Sequence, residues 1–217
     1  MKPLFQDRHD AGRQLAKHLL ATQAIAPSMT VLGLSRGGLP VAYEVSRSVN
    51  APLDVLVVRK LGFPGREEWA IGAVASGGIR VLNPDALTSL SNSEQAVAAA
   101  AERELATLAE QERLYRGERR AEPVTGREVI VVDDGLATGS TMRAAVLALR
   151  ERRAARVTVA APIGAPEACA ALSNVADQVI CPFQPKEFRA VSAFYQDFRQ
   201  TSDAEVCYFL QTSPECR

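Results

Sequence analysis

The sequence predicts an α/β fold, in which a parallel twisted sheet is flanked by helices. Short apolar runs that are rich in β-branched residues alternate along the chain with segments of helical periodicity. The run at 129–132 (Val-Ile-Val-Val) is typical of a strand that is covered on both faces, as in a parallel sheet. This order of elements favours right-handed crossovers, and such sheets bind ligands beyond the carboxyl ends of their strands.

Local patterns predict the elements of the first half of the chain. A helix begins at Asp7 or Asp10, since apolar residues then recur with helical spacing. The segment 59–69 is rich in glycine, proline and charge, which indicates a mobile loop. The other predicted elements are strands at 30–34 and 53–58, a helix at 40–49 with Pro40 in its first turn, and a hairpin of strands 71–75 and 79–82.

The second half opens with one long helix at 93–117, which is rich in alanine and glutamate. The alternation then resumes, with strands predicted at 128–132, 156–161 and 178–181 and helices at 141–153 and 166–175. The tail at 182–217 departs from this rhythm and holds most of the aromatic residues of the chain. For 217 residues we expect a single domain, with its core at about 30–181.

Composition and charge exclude several classes of function. The chain has 47% hydrophobic and 23% charged residues, which is ordinary for a soluble globular protein. Its 25 basic and 25 acidic residues leave no net field that would attract a nucleic acid, so no nucleic-acid partner is expected. No apolar run approaches the roughly 18 residues that a membrane helix needs. Neither membrane insertion nor export is therefore expected.

The four cysteines carry little functional signal. They form no Cys-x-x-Cys pair and have no histidine at ligand spacing, which argues against a zinc site and against a disulfide framework. We therefore expect reduced thiols and a cytoplasmic protein. The residues concerned are Cys169, Cys181, Cys207 and Cys216.

Two acids and a hydroxyl-rich turn follow the apolar run at 129–132. Asp133 and Asp134 fall where that strand ends, and Ser140 or Thr141 can cap the helix that comes next. The turn between the acids and this helix presents unpaired N–H groups at the positive end of the helix, which favours the binding of an anion. A phosphate in the turn and ribose hydroxyls on the acids would suit a 5-phosphoribosyl group. The competing interpretation is a core strand that ends in solvated acids.

The motif Asp-Asp-Gly-Leu-Ala-Thr-Gly-Ser-Thr at 133–141 resembles the phosphoribosyl pyrophosphate (PRPP) signature of type I phosphoribosyltransferases. The resemblance implies their Rossmann-like fold and a 5′-phosphate site. It also implies that Asp133 and Asp134 hold the ribose hydroxyls, although one acid could instead brace the loop. The residues implied to bind the 5′-phosphate are Ala137, Thr138, Gly139, Ser140 and Thr141.

The same resemblance implies a pyrophosphate site after the first strand of the sheet. It assigns pyrophosphate binding to Ser35, Arg36, Gly37 and Gly38, in a loop that often contains a cis peptide bond in this family. Arg59 and Lys60 would be further catalytic residues, on a loop that closes over the leaving group. The competing interpretations are a tight turn with a solvated arginine at 35–38 and a solvated basic pair at 59–60.

The implied reaction displaces pyrophosphate from PRPP by a ring nitrogen of a base. Mg²⁺ would be held mainly by PRPP with Asp133 and Asp134 nearby, and no other metal site is expected. Enzymes for 6-oxopurines usually carry an acid where this chain has Ala137, which makes hypoxanthine or guanine a less favoured acceptor than adenine. With its Asp-Arg-x-Asp-Ala-Gly start at 7–12 and its Phe-Tyr-Gln-Asp-Phe run at 194–198, the chain resembles bacterial phosphoribosyltransferases of unassigned acceptor. A non-catalytic sensor that binds PRPP and signals to a protein partner is the alternative.

The long helix is atypical of the smallest members of this family, so we expect a helical insertion at about 84–120. The resemblance also implies a hood over the sheet. The hood would comprise about 182–217 with part of 1–25. Its aromatic residues either stack on the acceptor base or form the core of the hood; they are Phe188, Phe194, Tyr195 and Phe198. Two roles fit the long helix, namely a contact in a homodimer and a lid over the site.

Overall fold

The computed structural model describes residues 3–22, 29–63, 66–82 and 94–214. The helices in this part of the chain are α1 (Arg8–Ala21), α2 (Gly38–Val49), α3 (Glu94–Arg116), α4 (Ser140–Glu151), α5 (Pro166–Leu172) and α6 (Asp203–Thr212), with a 3₁₀ turn at Val191–Phe194. The strands are β1 (Thr30–Leu34), β2 (Leu53–Leu56), β3 (Val58–Phe63), β4 (Arg66–Ala75), β5 (Ile79–Leu82), β6 (Glu128–Val132), β7 (Arg156–Ala160) and β8 (Gln178–Ile180).

The main sheet has five parallel strands in the order β2-β1-β6-β7-β8, which confirms the predicted fold class. Neighbouring residues of its strands are buried on opposite faces. Val31 and Ile130 pack with α1 and α2 on one side, whereas Leu32 and Val131 pack with α4 and α5 on the other. Because β1 pairs with β6 from Thr30↔Val129 to Gly33↔Val132, both strands end at the same rim.

A second sheet corrects the prediction for residues 59–69. The strands β3, β4 and β5 form an antiparallel sheet, so the loop prediction is wrong for the described residues of this segment; 64–65 lie outside them. The strand predicted at 53–58 is likewise two strands. At their junction Val57 N–H donates to the Ser76 hydroxyl at 2.9 Å, and Ser76 N–H donates to the Val57 carbonyl at 2.9 Å. Tertiary pairing overrides the glycine-rich composition here.

Three other local predictions agree closely with the structure. Asp7 is the N-cap of α1, and its side chain accepts a hydrogen bond from Asp10 N–H. The hairpin of β4 and β5 turns through Gly77 and Gly78, which have φ of 88° and 77° and so occupy a region that favours glycine. The long helix is confirmed as α3. None of the helices in the described ranges is both long and apolar enough to cross a membrane.

Helix α3 packs against its own chain. Its residues Ala101, Leu108 and Tyr115 are buried in the core that α1 and α2 share. At its carboxyl end Arg116 donates to the Asp54 carboxylate at 2.8 Å and to the Val55 carbonyl at 2.8 Å, which joins the helix to β2. One face of the helix is thus buried within its own chain, and both suggested roles, a dimer contact and a lid, stay predictions.

The aromatic tail returns to the amino terminus. Phe5 N–H donates to the Phe194 carbonyl at 3.0 Å, and Gln196 N–H donates to the Phe5 carbonyl at 2.9 Å. Phe5, Phe194 and Tyr195 are buried in a small cluster of their own. Phe194 and Tyr195 are therefore core residues of this region, and the boundaries predicted for the hood stay a prediction.

An Asp177→Asn substitution tests how the edge strand β8 is attached. The Asp177 carboxylate accepts from Val157 N–H at 2.6 Å and from Arg150 at 2.8 Å. Partial burial acts to raise the pKa of Asp177, but these hydrogen bonds outweigh it and lower the pKa below its ordinary value. We expect the substitution to lower the free energy of unfolding at pH 7 by about 1 kcal/mol.

The contribution of the Asp177 carboxylate to the stability of the fold depends on pH. The stability due to the Asp177 carboxylate is present above the unfolded-state pKa of about 4 and is lost as the pH falls through the lowered folded-state pKa. Urea unfolding at pH 7 and near pH 2 measures the difference between Asp177→Asn and the wild type, which should shrink at the lower pH. Glu110→Gln, on an exposed position of α3, is the control. An equal difference at both pH values would contradict the ionic contribution.

Candidate active site

The loops after β1 and β6 meet at the rim of the main sheet. A Cβ on Gly38 would lie 2.6 Å from the Val132 carbonyl oxygen, and a Cβ on Gly37 would overlap the Asp134 carboxylate. Only glycine therefore lets the 35–38 loop rest directly on the acid pair. The Ser35–Arg36 peptide bond is cis, as the family resemblance implied. The structure thus brings the predicted pyrophosphate loop and the predicted ribose-binding acids together.

The two acids of the pair have different partners. Asp133 accepts a hydrogen bond from Asp134 N–H at 2.9 Å. Asp134 accepts one from Arg8 Nε at 2.8 Å, in an ion pair whose side chains are 14% and 10% exposed, respectively. Within the described part of the chain, Arg8 is the cation in ion-pair distance of Asp134. Asp134 is thus the acid of the pair whose side chain is held by an ion pair.

Burial makes both acids hard to ionise. Burial and the neighbouring Asp134 charge raise the pKa of Asp133 well above its ordinary value. Burial also raises the pKa of Asp134, although Arg8 acts in the opposite direction. Hydroxyl groups that donate to these carboxylates would favour the charged form and lower both pKa values. The pair is therefore well suited to bind the vicinal hydroxyls of a sugar.

The Arg8 side chain was not predicted from the sequence. It comes from the first turn of α1 and contacts residues that are 126 and 191 positions away. Its Nη1 donates to the Arg199 carbonyl at 2.7 Å, and its guanidinium carbon lies 3.8 Å from the centre of the Phe198 ring. Arg8 lies in the Asp-Arg-x-Asp-Ala-Gly start at 7–12, but that pattern does not reveal its role, because all of these partners are distant in sequence.

The turn after the acids has the form of an anion site. Leu136 N–H donates to the Ile163 carbonyl at 2.9 Å, and Leu136 in turn accepts from Ala165 N–H at 2.8 Å, which fixes the start of the turn. Gly139, with φ of 71°, is the N-cap of α4. The prediction that Ser140 or Thr141 is the cap is therefore wrong, since both residues lie within the helix.

The groups of this turn face outward. Ala137, Thr138 and Ser140 are exposed, and the Thr138 and Ser140 hydroxyls are 3.1 Å apart. The first N–H groups of an α-helix have no intrahelical acceptor, and the helix dipole makes this end positive. Backbone donors and two hydroxyls thus lie together in this turn, and their binding of a phosphate stays a prediction.

Lys60 lies beside this turn rather than in a loop. It belongs to β3 and lines a cavity of about 220 Å³ together with Ser140, Thr141 and Arg143. The other walls of the cavity are largely apolar and come from β3, β4, β5 and α4. Lys60 and Arg143 are exposed cations next to the anion turn. Sequence reasoning missed Arg143, although its position in the first turn of α4 was a usable signal.

Arg59 and Arg36, the two arginines predicted to act on the pyrophosphate, each form an ion pair with an acidic residue of a helix. Arg59 Nε lies 2.6 Å from Glu104 Oε2 of α3. Arg36 Nη1 lies 3.4 Å from Asp203 Oδ1 of α6, and the same oxygen accepts from the Tyr115 hydroxyl at 2.8 Å. A role for either arginine on the leaving group stays a prediction, and it would require these pairs to open or to share their cation.

The aromatic tail contacts the backbone next to the acid pair. The Tyr195 hydroxyl donates to the Asp134 carbonyl at 2.6 Å, and burial raises the pKa of Tyr195, so the hydroxyl stays a donor. Gly135 packs so closely on Val191 that a side chain at 135 would displace it. Phe188 and Phe198 are only partly buried, so these two rings are the better placed of the four aromatic residues to contact a ligand.

A Tyr195→Phe substitution tests this contact. It removes one hydrogen bond and leaves the Asp134 carbonyl without the donor it has here, so we expect a loss of about 1 kcal/mol in the free energy of unfolding. Thermal or urea unfolding measures the change. Tyr208→Phe, at an exposed position of α6, is the control. If both substitutions lowered stability equally, the Tyr195 hydroxyl would have no specific structural role.

The chain matches a family model and curated relatives over most of its length. The family model described as phosphoribosyl transferase domain matches residues 6–198. A provisionally named phosphoribosyl transferase of Mycobacterium tuberculosis H37Rv is 46% identical over 207 residues, which are 95% of this chain and 46% of that protein. The chain thus spans about half the length of the curated relatives it matches.

Two crystal structures resemble the whole fold. The protein TT1426 from Thermus thermophilus is 40% identical with a TM-score of 0.85, and the match covers 97% of this chain and 99% of that one. A purine phosphoribosyltransferase from Pyrococcus horikoshii is 17% identical with a TM-score of 0.51, and the match covers 93% of this chain and 99% of that one. At this low identity the second likeness shows the fold alone.

Proposed function

Because the chain belongs to the phosphoribosyl transferase domain family, we propose that it transfers ribose 5-phosphate from PRPP to a nitrogen base and releases pyrophosphate. One observation carries the proposal. The acid pair lies directly beneath the 35–38 loop and is followed by the anion turn at 137–141, all at the carboxyl ends of adjacent parallel strands. Such an arrangement offers one place for each part of PRPP.

The 5′-phosphate and the ribose take the β6 side of this site. The N–H groups and hydroxyls of the turn bind the phosphate, with Lys60 and Arg143 adding positive charge from the adjoining cavity. Asp133 accepts hydrogen bonds from the ribose hydroxyls, and its negative charge stabilises the positive charge that builds on the ribose during the reaction. Asp134, held by Arg8, supports the 35–38 loop and completes the contact with the sugar.

The pyrophosphate takes the β1 side of the site. Gly37 and Gly38 expose backbone N–H groups without side chains in the way, and Arg36 brings a guanidinium to the same loop. For Arg59 to act on the leaving group, its ion pair with Glu104 has to exchange for one with a phosphate oxygen. The ring nitrogen of the base forms the new bond to the anomeric carbon as the bond to pyrophosphate breaks, and the proton of that nitrogen passes to the released pyrophosphate or to water.

The residues of the site are suited to Mg²⁺ that arrives with PRPP. No cluster of three or more His, Cys, Asp or Glu side chains occurs in the described ranges, whereas Asp133 and Asp134 provide adjacent carboxylates. Mg²⁺ dehydrates reluctantly, so it usually keeps several waters and binds substrate phosphates. The ion would be held mainly by the pyrophosphate of PRPP and would neutralise its charge, with the two acids nearby.

The acceptor is a purine or a pyrimidine-like heterocycle. Ala137, at the position where 6-oxopurine enzymes carry an acid, is exposed in the turn and offers no group that could move a ring proton. Adenine is therefore the first acceptor to examine. Phe188 or Phe198 would stack on the base from the tail side, consistent with their partial exposure.

Incubation with PRPP, Mg²⁺ and single bases tests the proposal. Pyrophosphate release is followed for adenine, hypoxanthine, guanine and uracil, with controls that lack the base or the metal. We expect release that depends on PRPP, on Mg²⁺ and on one of the bases. Failure of calorimetry to detect PRPP binding in the presence of Mg²⁺ would refute the proposal outright.

The second candidate is a sensor that binds PRPP without turnover. The pairing of Arg36 with Asp203 and of Arg59 with Glu104 favours it, because both cations are already neutralised. Tight PRPP binding with no pyrophosphate release for any acceptor would support the sensor over the enzyme. A Glu104→Gln substitution distinguishes them further, since freeing Arg59 should increase turnover only if the chain is catalytic.

A further inference from the structure

We propose that Arg8 is a positioning residue of this site, which orients the Asp134 carboxylate beneath the 35–38 loop so that the acid pair meets the ribose correctly. The inference rests on the proposed function and adds a residue from outside both loops. Arg8 lies at the start of α1, and it is 8% exposed. Its three contacts come from two separate parts of the chain, the acid pair and the tail at 198–199.

Those contacts leave the guanidinium little freedom. Nε donates to Asp134 at 2.8 Å, Nη1 donates to the Arg199 carbonyl at 2.7 Å, and the plane lies over the Phe198 ring at 3.8 Å. A guanidinium presents its donors in a rigid fork, so fixing two of them and one face fixes its orientation. The orientation of the Asp134 carboxylate is fixed in turn.

The environment of Asp134 makes an ionic partner necessary. Asp133 adjoins it and repels its charge, Tyr195 bonds only to its backbone carbonyl, and Gly37 presents no side chain. Arg8 is the group that lowers the pKa of Asp134 against the effect of burial. Without it, the Asp134 side chain would hold a proton to higher pH and would be free to rotate away from Gly37.

Two consequences separate this role from simple structural support. Loss of the fork should lower kcat on the order of tenfold or more, because a misplaced acid no longer matches the transition state. It should also move the acid limb of the pH–rate profile upward, since Asp134 then requires a higher pH to ionise. Replacing a residue that only supported folding would change neither the shape of this pH–rate profile nor the titration of Asp134.

Three variants test the proposal. Arg8→Lys keeps the charge and loses the fork, Arg8→Gln loses both, and Arg13→Gln removes a charge from an exposed position of the same helix. The kcat and the KM for PRPP are measured between pH 5 and 9 for each. In parallel, ¹³C NMR follows the titration of the Asp134 carboxyl in the unliganded protein, which requires no turnover.

We expect Arg13→Gln to match the wild type in every measurement. Arg8→Lys should retain a near-normal Asp134 titration with a lower kcat, whereas Arg8→Gln should raise the titration midpoint of Asp134. If Arg8→Gln does not fold, the fall of kcat in a folded Arg8→Lys decides the question. Unchanged kcat and pH profiles in the Arg8 variants of an active enzyme would overturn the role of Arg8.

A wild-type protein that binds PRPP but releases no pyrophosphate would overturn the proposed transferase activity, but it would not overturn the positioning of Asp134 by Arg8. In that case PRPP binding by calorimetry replaces kcat as the measure of site geometry. Weaker PRPP binding together with a raised Asp134 titration in Arg8→Gln would support the positioning role. Normal binding and an unchanged titration would overturn it.

Discussion

Replacement of Asp133 by asparagine is expected to remove most of the pyrophosphate release and, at the same time, to raise the free energy of unfolding at neutral pH. The activity falls because the amide carries no negative charge to stabilise the developing positive charge on the ribose. Removing one electrostatic group of this kind typically lowers kcat on the order of 10²- to 10³-fold. The amide oxygen can still accept from Asp134 N–H, as the carboxylate does at 2.9 Å.

The increase in stability follows from the pKa of Asp133, which burial and the Asp134 charge raise well above 3.8. Between the unfolded-state pKa and the raised folded-state pKa, the folded protein binds more protons than the unfolded chain. Its stability therefore falls as the pH rises through that window. Asp133→Asn has no such group to ionise, so the variant and the wild type should be equally stable near pH 4 and differ at pH 8, with the variant more stable.

Asp134→Asn is the informative counterpart, because it removes the carboxylate that faces Arg8. Breaking a buried ion pair from one side typically costs about 3 kcal/mol or more, so this variant should lose both turnover and stability. Urea unfolding from pH 4 to pH 8, with pyrophosphate release measured on the same samples, compares the two variants. A loss of stability in Asp133→Asn at pH 8 would show that Asp133 is a structural residue.

Sequence alone was enough for the parts of the site that are local. The strand at 129–132, the acids that follow it and the glycine-containing turn lie within one continuous segment, so their spacing already determines their relative placement. The 35–38 loop was also predictable, because parallel strands place their carboxyl ends at one rim. The alternation of apolar runs and helices likewise determined the fold class.

Long-range pairing produced the features that the sequence did not reveal. The β3–β4 hairpin forms from a segment whose composition is typical of a loop, since the backbone of one strand satisfies that of the other. Arg8 reaches Asp134 across 126 positions, and Arg59 reaches Glu104 across 45. A single arginine in a helix carries no mark of its distant partner. Such contacts depend on how the helices pack, which local periodicity does not specify.

A Gly139→Ala substitution should weaken PRPP binding on the order of tenfold or more, because the turn that binds the 5′-phosphate depends on a left-handed residue. Gly139 has φ of 71°, and an added Cβ would lie 3.3 Å from the Leu172 side chain. Alanine in this conformation costs roughly 1–2 kcal/mol, which the chain can relieve by turning the N–H groups of the first turn of α4 away from the anion.

Gly126→Ala is the matched control for this prediction. Gly126 has nearly the same φ, 70°, but an added Cβ would meet no atom within 4 Å, and the residue precedes β6 at the opposite end of the strand from the acids. Both variants should lose roughly 1–2 kcal/mol of stability, and only Gly139→Ala should lose PRPP affinity by calorimetry. Equal affinity in the two variants would mean that the phosphate is held elsewhere, and the cavity beside Lys60 and Arg143 would then be the place to seek it.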